Sequence, residues 1–325
     1  MIEGALALWL NITAIAVLSF IAANTIVSLF VAVFDTKLAL FEVKSRKYAL
    51  WLTVTLPWLV ALFVACYFAF ISTTPSFAQQ SDAYAHWHHM EEFSISSWHS
   101  FTLLMAMAVM AAILLKKLRV LHKHQHDLAL LKQMSTPLSG DTYQLNTYQL
   151  NTEQSSAFTC GFINQRCYIT SGLLDRTTLD EQQVILGHEQ AHMLARDPLK
   201  KWIFNLLATF FLTPVAARLK LKMILAMEQH ADNAVINTEY SSTFVAATLV
   251  KIARLNATEN SLIDNELVAS FGAEILEQRV YSLLGQLTLK PISRRLTLTF
   301  MIIVVNVSLY SIDGIHHLIE TLFTH

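Results

Sequence analysis

Long apolar runs are the strongest constraint that this sequence places on its fold. A transmembrane helix needs about 20 apolar residues, and residues 5–34, 49–71, 98–115 and 296–312 approach or exceed that length. Only 14% of the residues are charged, whereas an ordinary soluble domain has about 25%. The sequence therefore predicts a mainly α, polytopic membrane protein with four transmembrane helices, and its net charge of -1 gives no indication of a nucleic-acid partner.

Lysine and arginine in the connecting segments predict how these helices are oriented. Short cytoplasmic loops are enriched in both residue types, and the segment 72–97 contains neither. We therefore expect the N-terminus, the loop 72–97 and the tail 313–325 outside the membrane, and residues 116–295 in the cytoplasm. The basic residues predicted on the inner side are Lys37, Lys44, Arg46, Lys47, Lys116, Lys117, Arg119, Lys123, Lys290, Arg294 and Arg295.

This arrangement divides the chain into three parts. Residues 1–115 are a three-span bundle with the external loop 72–97, residues 116–295 are a cytoplasmic domain, and residues 296–325 are the fourth span with a short tail. Within the cytoplasmic domain, residues 202–217 are apolar, contain a proline and have basic residues at both ends. We expect a membrane-associated helix that lies in, or dips into, the cytoplasmic leaflet; the alternative is a helix buried against the spans.

Two stretches of the cytoplasmic domain predict β-strands. The tandem copy TYQLNTYQLN, residues 142–151, alternates apolar and polar residues and predicts an edge strand. The stretch AFTCGFINQRCYIT, residues 157–170, is rich in aromatic and β-branched residues and predicts two short strands. The domain is therefore expected to be α+β.

Helices are expected to fill the rest of the domain. Thr178 and Glu181 have the spacing of a capping box, in which each side chain satisfies a free backbone N–H of the other residue. Pro198 predicts that the helix starting there stops or kinks. A second helix is expected at about 215–238, with two or three more in 243–286.

The first of these helices carries LGHEQAHMLARD, residues 186–197. Residues i and i+4 of an α-helix lie on one face, so His188 and His192 can bind one metal ion together. Glu189 can act as the general base towards a water on that ion, which is the pattern of zinc proteases. The alternative is an amphipathic helix with surface histidines, which predicts no further ligand.

A further ligand does follow, in MEQHADNAV, residues 227–235. Glu228 can be the third zinc ligand and leave the fourth position to water. Asp232 lies one turn further on and can accept a hydrogen bond from the second ring nitrogen of a ligating histidine. His230 lies about 200° from Glu228 around the helix, so we expect it to face away from the metal.

These motifs resemble the BlaR/MecR-type integral-membrane metallopeptidases, which are gluzincins. AFTCGF ahead of HEQAH resembles their strand segment, and EQRVYSLLG, residues 277–285, resembles their arginine-centred stretch. The resemblance implies one Zn²⁺ per chain, bound by His188, His192 and Glu228, in a protease domain between the third and fourth spans of a multi-pass protein. It also implies a bacterial inner membrane, with the N-terminus and the C-terminal tail in the periplasm.

The sequence departs from this family in three ways. Gln190 stands where an apolar residue is usual, and Pro198 follows Asp197 where a helix-compatible residue is commoner. The penicillin-binding sensor domain of the antibiotic receptors would follow the fourth span, where this chain has only residues 313–325. The resemblance therefore extends to the protease and not to β-lactam sensing.

Three functions are compatible with these features. The first is a signalling zinc endopeptidase that cleaves a cytoplasmic repressor or similar regulator, with the substrate added as a strand to the edge of 157–170. The second is a membrane quality-control protease of the HtpX type, and the third is a non-catalytic metal sensor. The three preceding spans disfavour the second, and an intact Glu189 disfavours the third.

Several features leave alternatives open. HWHHMEE, residues 86–92, and His99 lie on the predicted external side and either bind a metal ion or cap the bundle as a polar loop. The partners expected from the sequence are the lipid bilayer and a protein or peptide substrate, and a homodimer is an open alternative. The three cysteines have no CxxC spacing, so we expect idle thiols.

Overall fold

The computed structural model describes residues 1–34, 41–72, 92–138, 146–236, 240–259, 266–286 and 289–323. The chain is mainly helical, as expected, and the described residues also form a four-stranded sheet beside the predicted metal-binding helices and a separate two-stranded one. In chain order the elements are β1 (Ile2–Glu3), α1 (Ala5–Phe34), α2 (Val43–Ser72), β2 (Glu92–Phe93), α3 (Trp98–Met134), β3 (Ser135–Pro137), β4 (Thr147–Leu150), β5 (Ala157–Cys160), β6 (Arg166–Thr170), α4 (Ser171–Arg176), α5 (Leu179–Ala195), α6 (Asp197–Ala208), α7 (Thr213–Ile236), α8 (Ser242–Glu259), α9 (Glu266–Leu283) and α10 (Arg294–Phe323).

Within the described residues, three helices are long and apolar enough to cross a membrane. They are Ala5–Val33 of α1, the whole of α2 and the whole of α3. The helix α10 covers the predicted fourth span, and the count of four spans remains a prediction. The predicted His-rich loop, residues 86–91, lies outside the described residues.

The segment 202–217 is divided between two helices that pack against the spans. The helix α6 ends at Ala208, α7 begins at Thr213, and the turn between them carries Phe210. The ring of Phe210 lies 5.9 Å from that of Phe20 on α1 and 5.0 Å from that of Trp58 on α2. Asn24 on α1 donates a side-chain hydrogen bond of 2.7 Å to the carbonyl of Phe210. The single interfacial helix is therefore replaced by a helical hairpin, because the chain must turn before Pro214 can start a new helix.

The sheet corrects the predicted position of one strand. Its order is β3-β4-β6-β5, with β4 and β6 parallel and the other neighbours antiparallel. The tandem repeat therefore contributes an interior strand, because the chain leaving α3 adds β3 on its outer side. The two strands predicted in 157–170 form the expected hairpin, and β5 lies at the sheet edge.

Helix α5 begins and ends where its sequence predicts. The side chain of Thr178 accepts from the backbone N–H of Glu181, and the Glu181 carboxylate accepts from that of Thr178. At the other end Arg196 adopts a left-handed conformation with φ 54°. The chain then restarts as α6, with Pro198 in its first turn. This sharp corner places Asp197 directly beside the end of the metal-binding helix.

Candidate metal centre

Helices α5 and α7 bring three candidate ligands to one point. His188 Nε2 lies 3.1 Å from His192 Nε2 and 3.3 Å from a carboxylate oxygen of Glu228. His192 Nε2 lies 3.6 Å from the other oxygen of Glu228. Within the described residues, these three form the cluster whose ligand atoms all lie within 4.8 Å of one another.

The spacing of these atoms fits a tetrahedral zinc ion. Zinc–nitrogen and zinc–oxygen bonds of about 2.0–2.1 Å place two tetrahedral ligand atoms about 3.3 Å apart. The three observed separations, 3.1, 3.3 and 3.6 Å, lie around this value. The set of two imidazoles and one carboxylate is also that of catalytic rather than structural zinc sites, because it leaves a fourth position open.

Each histidine has its own carboxylate behind it. Asp232 Oδ1 lies 3.0 Å from His188 Nδ1, and Asp197 Oδ2 lies 2.9 Å from His192 Nδ1. An Nδ1–H directed at a carboxylate leaves the lone pair on Nε2. His192 makes this hydrogen bond, so its Nε2 lone pair points into the space between the two histidines and Glu228. The 3.0 Å approach of Asp232 to His188 Nδ1 favours the same tautomer of His188, which is the arrangement that a metal ion requires.

Arg279 on α9 closes the centre from behind. Its Nε and Nη2 donate to the two oxygens of Asp232 at 2.8 and 2.7 Å. Its Nη1 lies 2.9 Å from Glu228. Asp232 is only 1% exposed, and a buried carboxylate needs such a partner to remain ionised. Arg279 thus links Glu228, a proposed ligand, to Asp232, the carboxylate behind the ligand His188.

The charges of the centre favour a bound cation. Burial raises the pKa of Glu228, but the hydrogen bonds from His188 and His192 outweigh this effect and hold the pKa well below its usual value. Burial lowers the pKa of His192, whereas Asp197 and Glu228 raise it to about 10. The pKa of His188 is raised in the same way by Asp232 and Glu228. The carboxylates therefore stay ionised at neutral pH, and the site takes up protons when no metal competes for it.

The centre opens into a cleft of about 630 Å³. Glu189 lines this cleft next to the proposed ligands, and the edge strand β5 runs along it. Thr159 of β5 donates a 2.8 Å hydrogen bond to the backbone carbonyl of Glu189, which fixes the strand against α5. The opposite walls come from α3, α6 and α8, and the residues that they contribute include Val120, Leu121, His124, Trp202, Val245, Leu249 and Ile252. The cleft therefore joins a metal centre to a largely apolar groove beside an available sheet edge.

The structure brings together all five residues that the sequence singled out. His188, His192, Glu228, Glu189 and Asp232 line a single cleft, and Asp232 lies behind His188. His230 does not line the cleft. Burial, followed by the charge of Lys47, lowers the pKa of His230.

Three residues with clear positions in the centre had no assigned role in the sequence. Asp197 is the residue before Pro198. A carboxylate five positions after His192 indicates a candidate partner for the second ring nitrogen of that histidine. Arg279 lies in the stretch EQRVYSLLG, whose resemblance to a family segment assigns it no role. Lys47, whose ammonium lies 3.7 Å from Asp197, counted only as a loop charge. Its contact joins positions 150 residues apart in the sequence, so no local pattern indicates it.

Comparison with known proteins identifies the family. The family model of Peptidase family M48 matches residues 116–283, which is just over half of the chain. No curated protein matches the chain. The matched region begins within α3, ends with α9 and contains all five candidate site residues together with Asp197 and Arg279. The chain therefore belongs to peptidase family M48, a family of zinc-dependent metallopeptidases.

Proposed function

We propose that this protein is a membrane-embedded zinc endopeptidase that cleaves a protein substrate at the cytoplasmic face of the membrane. His188, His192 and Glu228 hold one zinc ion, Glu189 is the general base, and Asp232 orients His188. The observation that carries this proposal is the convergence of two Nε2 atoms and a carboxylate at 3.1–3.6 Å in a cleft that also contains Glu189.

The chemistry divides between the metal and the chain. A zinc ion held by these three residues would supply Lewis acidity towards a water molecule and the scissile carbonyl. Glu189 accepts the proton of the attacking water and later delivers it to the leaving amine. Asp232 and Asp197 keep the two imidazoles in the tautomer that presents Nε2.

The substrate is proposed to bind as an added strand on β5. Backbone N–H and C=O groups at a sheet edge can pair with an extended peptide, and side-chain pockets then provide selectivity. The apolar wall formed by Val245, Leu249 and Ile252 of α8 favours a substrate with an apolar side chain next to the scissile bond. His124 and Phe162 also line the cleft, with ring centroids 5.3 Å apart.

The biological role that we propose is signalling. The basic residues around the spans support a cytoplasmic position for the cleft, since they are concentrated on its side of the apolar helices. Three apolar helices precede the metal centre in the chain, as in the BlaR/MecR-type peptidases that the motifs resemble. A cytoplasmic repressor or a comparable regulator is the proposed substrate, and a bacterial inner membrane is the proposed location.

A second candidate is a quality-control protease of the HtpX type. The breadth of the cleft and its apolar walls favour it, because such a cleft accepts many hydrophobic segments of damaged membrane proteins. The number of different substrates in the cell separates the two candidates: a signalling protease cleaves one or a few proteins, whereas a quality-control protease cleaves many.

The test compares the wild type with Glu189→Gln, which keeps the shape of the side chain and removes the base. Each full-length protein is purified in detergent for a zinc measurement and expressed in cells for a survey of protein fragments. We expect one zinc per chain in both proteins and a loss of cleavage of about 10²–10⁴-fold in the variant. Glu153→Gln removes an exposed carboxylate and serves as the control.

Two outcomes contradict the proposal. Full cleavage by Glu189→Gln means that Glu189 is not the base. Absence of zinc from the purified wild type, even after incubation with the metal, means that the three residues are not a zinc site.

A further inference from the structure

The cytoplasmic end of the membrane helix α2 reaches the metal centre. Arg46 and Lys47, in its first turns, are 2% exposed and 15% exposed at the side chain, respectively. Lysine and arginine are rarely buried to this degree without a partner. Both residues lie outside the region that the family model matches, and their contacts explain their burial.

Lys47 contacts Asp197, the carboxylate that lies behind His192. Its ammonium lies 3.7 Å from Oδ1 of Asp197, while Oδ2 of the same carboxylate lies 2.9 Å from His192 Nδ1. Asp197 is 4% exposed and is the first residue of α6, immediately after the left-handed Arg196. The two oxygens of one buried carboxylate therefore connect α2 to a proposed zinc ligand.

Arg46 contacts α7, the helix that carries Glu228, the proposed third ligand. Its guanidinium donates to the side-chain oxygen of Gln229, and Gln229 donates through Nε2 to the backbone carbonyl of Gln278 at 3.2 Å. Gln229 is 2% exposed, follows Glu228 in the chain, and faces the residue before Arg279. One buried amide thus ties α2 to the neighbours of both Glu228 and Arg279.

We propose that Arg46 and Lys47 are positioning residues of the metal centre. Consecutive residues of a helix point about 100° apart, so Arg46 and Lys47 contact different neighbours from one turn of α2. Lys47 contacts the corner between α5 and α6, and Arg46 contacts α7 and, through Gln229, α9. The inference rests on the proposed function, since it concerns the same zinc site. It means that the geometry of the site depends on where α2 lies.

The test of Lys47 is a double-mutant cycle with Asp197 in the full-length protein. The variants are Lys47→Met, Asp197→Asn and the double variant, with Lys44→Met as control because Lys44 is an exposed lysine of the same helix end. Two readouts are used: zinc affinity by competition with a chelator, and the visible absorption of the cobalt-substituted protein, which reports ligand geometry.

We expect Lys47→Met to weaken zinc binding about 10-fold, at the lower end of the effect of removing an outer partner of a ligand, and to shift the cobalt bands. In the Asp197→Asn background the same substitution has no additional effect, because Lys47 acts through Asp197. Lys47→Arg restores most of the affinity, and Lys44→Met matches the wild type.

The outcomes separate this inference from the proposed function. If the wild type binds zinc and Lys47→Met has the same affinity and cobalt spectrum as Lys44→Met, the positioning role is wrong and the zinc site stands. An equal loss with and without Asp197 also overturns it. If the wild type binds no metal, both the proposed function and this inference are wrong.

Arg46 is tested with a pair of substitutions that removes both members of its hydrogen bond with Gln229. Arg46→Met alone strands Gln229, whereas Arg46→Met with Gln229→Leu replaces both members of the hydrogen bond by apolar groups, which costs far less stability. We expect the double variant to fold, as measured by thermal unfolding, and to show shifted cobalt bands. A folded double variant with the wild-type spectrum and affinity removes Arg46 from the proposal.

Discussion

The two histidines of the metal centre are held by similar carboxylates but by different parts of the molecule. Behind His188 stand Asp232 and then Arg279, both in the region matched by the peptidase family. Behind His192 stands Asp197, which belongs to the same region, and then Lys47, which belongs to the apolar helix α2. On the His188 arm of the site the charged partner therefore comes from the matched region itself, whereas on the His192 arm it comes from α2.

The two arms also differ in strength. Arg279 makes two parallel hydrogen bonds of 2.7 and 2.8 Å to Asp232, a bidentate geometry that is both strong and directional. Lys47 makes one ion contact of 3.7 Å to Asp197. The comparison teaches that the arm on His188 is built for rigidity, whereas the arm on His192 can respond to a displacement of α2.

The largest expected effect comes from Arg279→Met. The substitution leaves the buried Asp232 and the partly exposed Glu228 without their shared cation, and removing the partner of a buried charge costs about 3–5 kcal/mol. We expect loss of zinc and a large drop in the unfolding temperature of the purified protein. Arg218→Met, which removes an exposed arginine on α7, is the control. A variant that keeps its zinc and its unfolding temperature would show that the His188 arm does not need Arg279.

The second prediction compares the two carboxylates directly. Asp232→Asn and Asp197→Asn each remove one charge behind one histidine, and both should weaken zinc binding about 10–100-fold. Asp232→Asn should have the larger effect, because Arg279 then loses its main partner. Chelator competition on the two purified variants measures the difference. Equal affinities, or a larger loss for Asp197→Asn, would contradict the ranking of the two arms.

The last prediction concerns the shift of an end point, namely the pH at which zinc affinity stops rising. The pKa of His192 in the metal-free protein is raised to about 10, against burial, by Asp197 and Glu228, so zinc must displace a proton from this imidazole at neutral pH. Each unit of rising pH therefore increases the apparent affinity up to about tenfold until pH approaches 10.

Asp197→Asn tests whether the deprotonation of His192, rather than that of His188, sets the pH at which zinc affinity stops rising. It removes one of the charges that raise the pKa of His192, so the increase should level off at a lower pH. Asp232→Asn should leave that end point near the wild-type value. Titrations of affinity against pH for the three proteins check this, and an unchanged end point in Asp197→Asn would disprove the role of the Asp197 charge.

The sequence predicted the local geometry of the site because that geometry follows helix periodicity. The spacings His188–His192 and Glu228–Asp232 place each pair on one helix face, and the pairing of α5 with α7 then completes the cluster. The capping box at Thr178 and the corner at Pro198 are equally local, and the structure confirms both.

The contacts that the sequence does not predict, such as that of Lys47 with Asp197, depend on tertiary packing. The contact between Lys47 and Asp197 requires α2 to lie against the start of α6, and nothing in either segment encodes that position. The alternation of apolar and polar residues in the tandem repeat predicts a strand, but it does not indicate which strands lie beside it. Which strand becomes the edge depends on β3, a short strand that only the end of α3 brings into place.

The hairpin tip at Phe210 has a consequence for how the protein is made. The ribosome synthesises α1 and α2 before it reaches residue 197, so both apolar helices exist before α6 and α7 do. The hairpin can then dock its aromatic tip against these two helices. A shortened chain beginning near residue 116 would carry Phe204, Phe210 and Phe211 without the surface that receives them, so α1 and α2 serve the peptidase as a template for assembly.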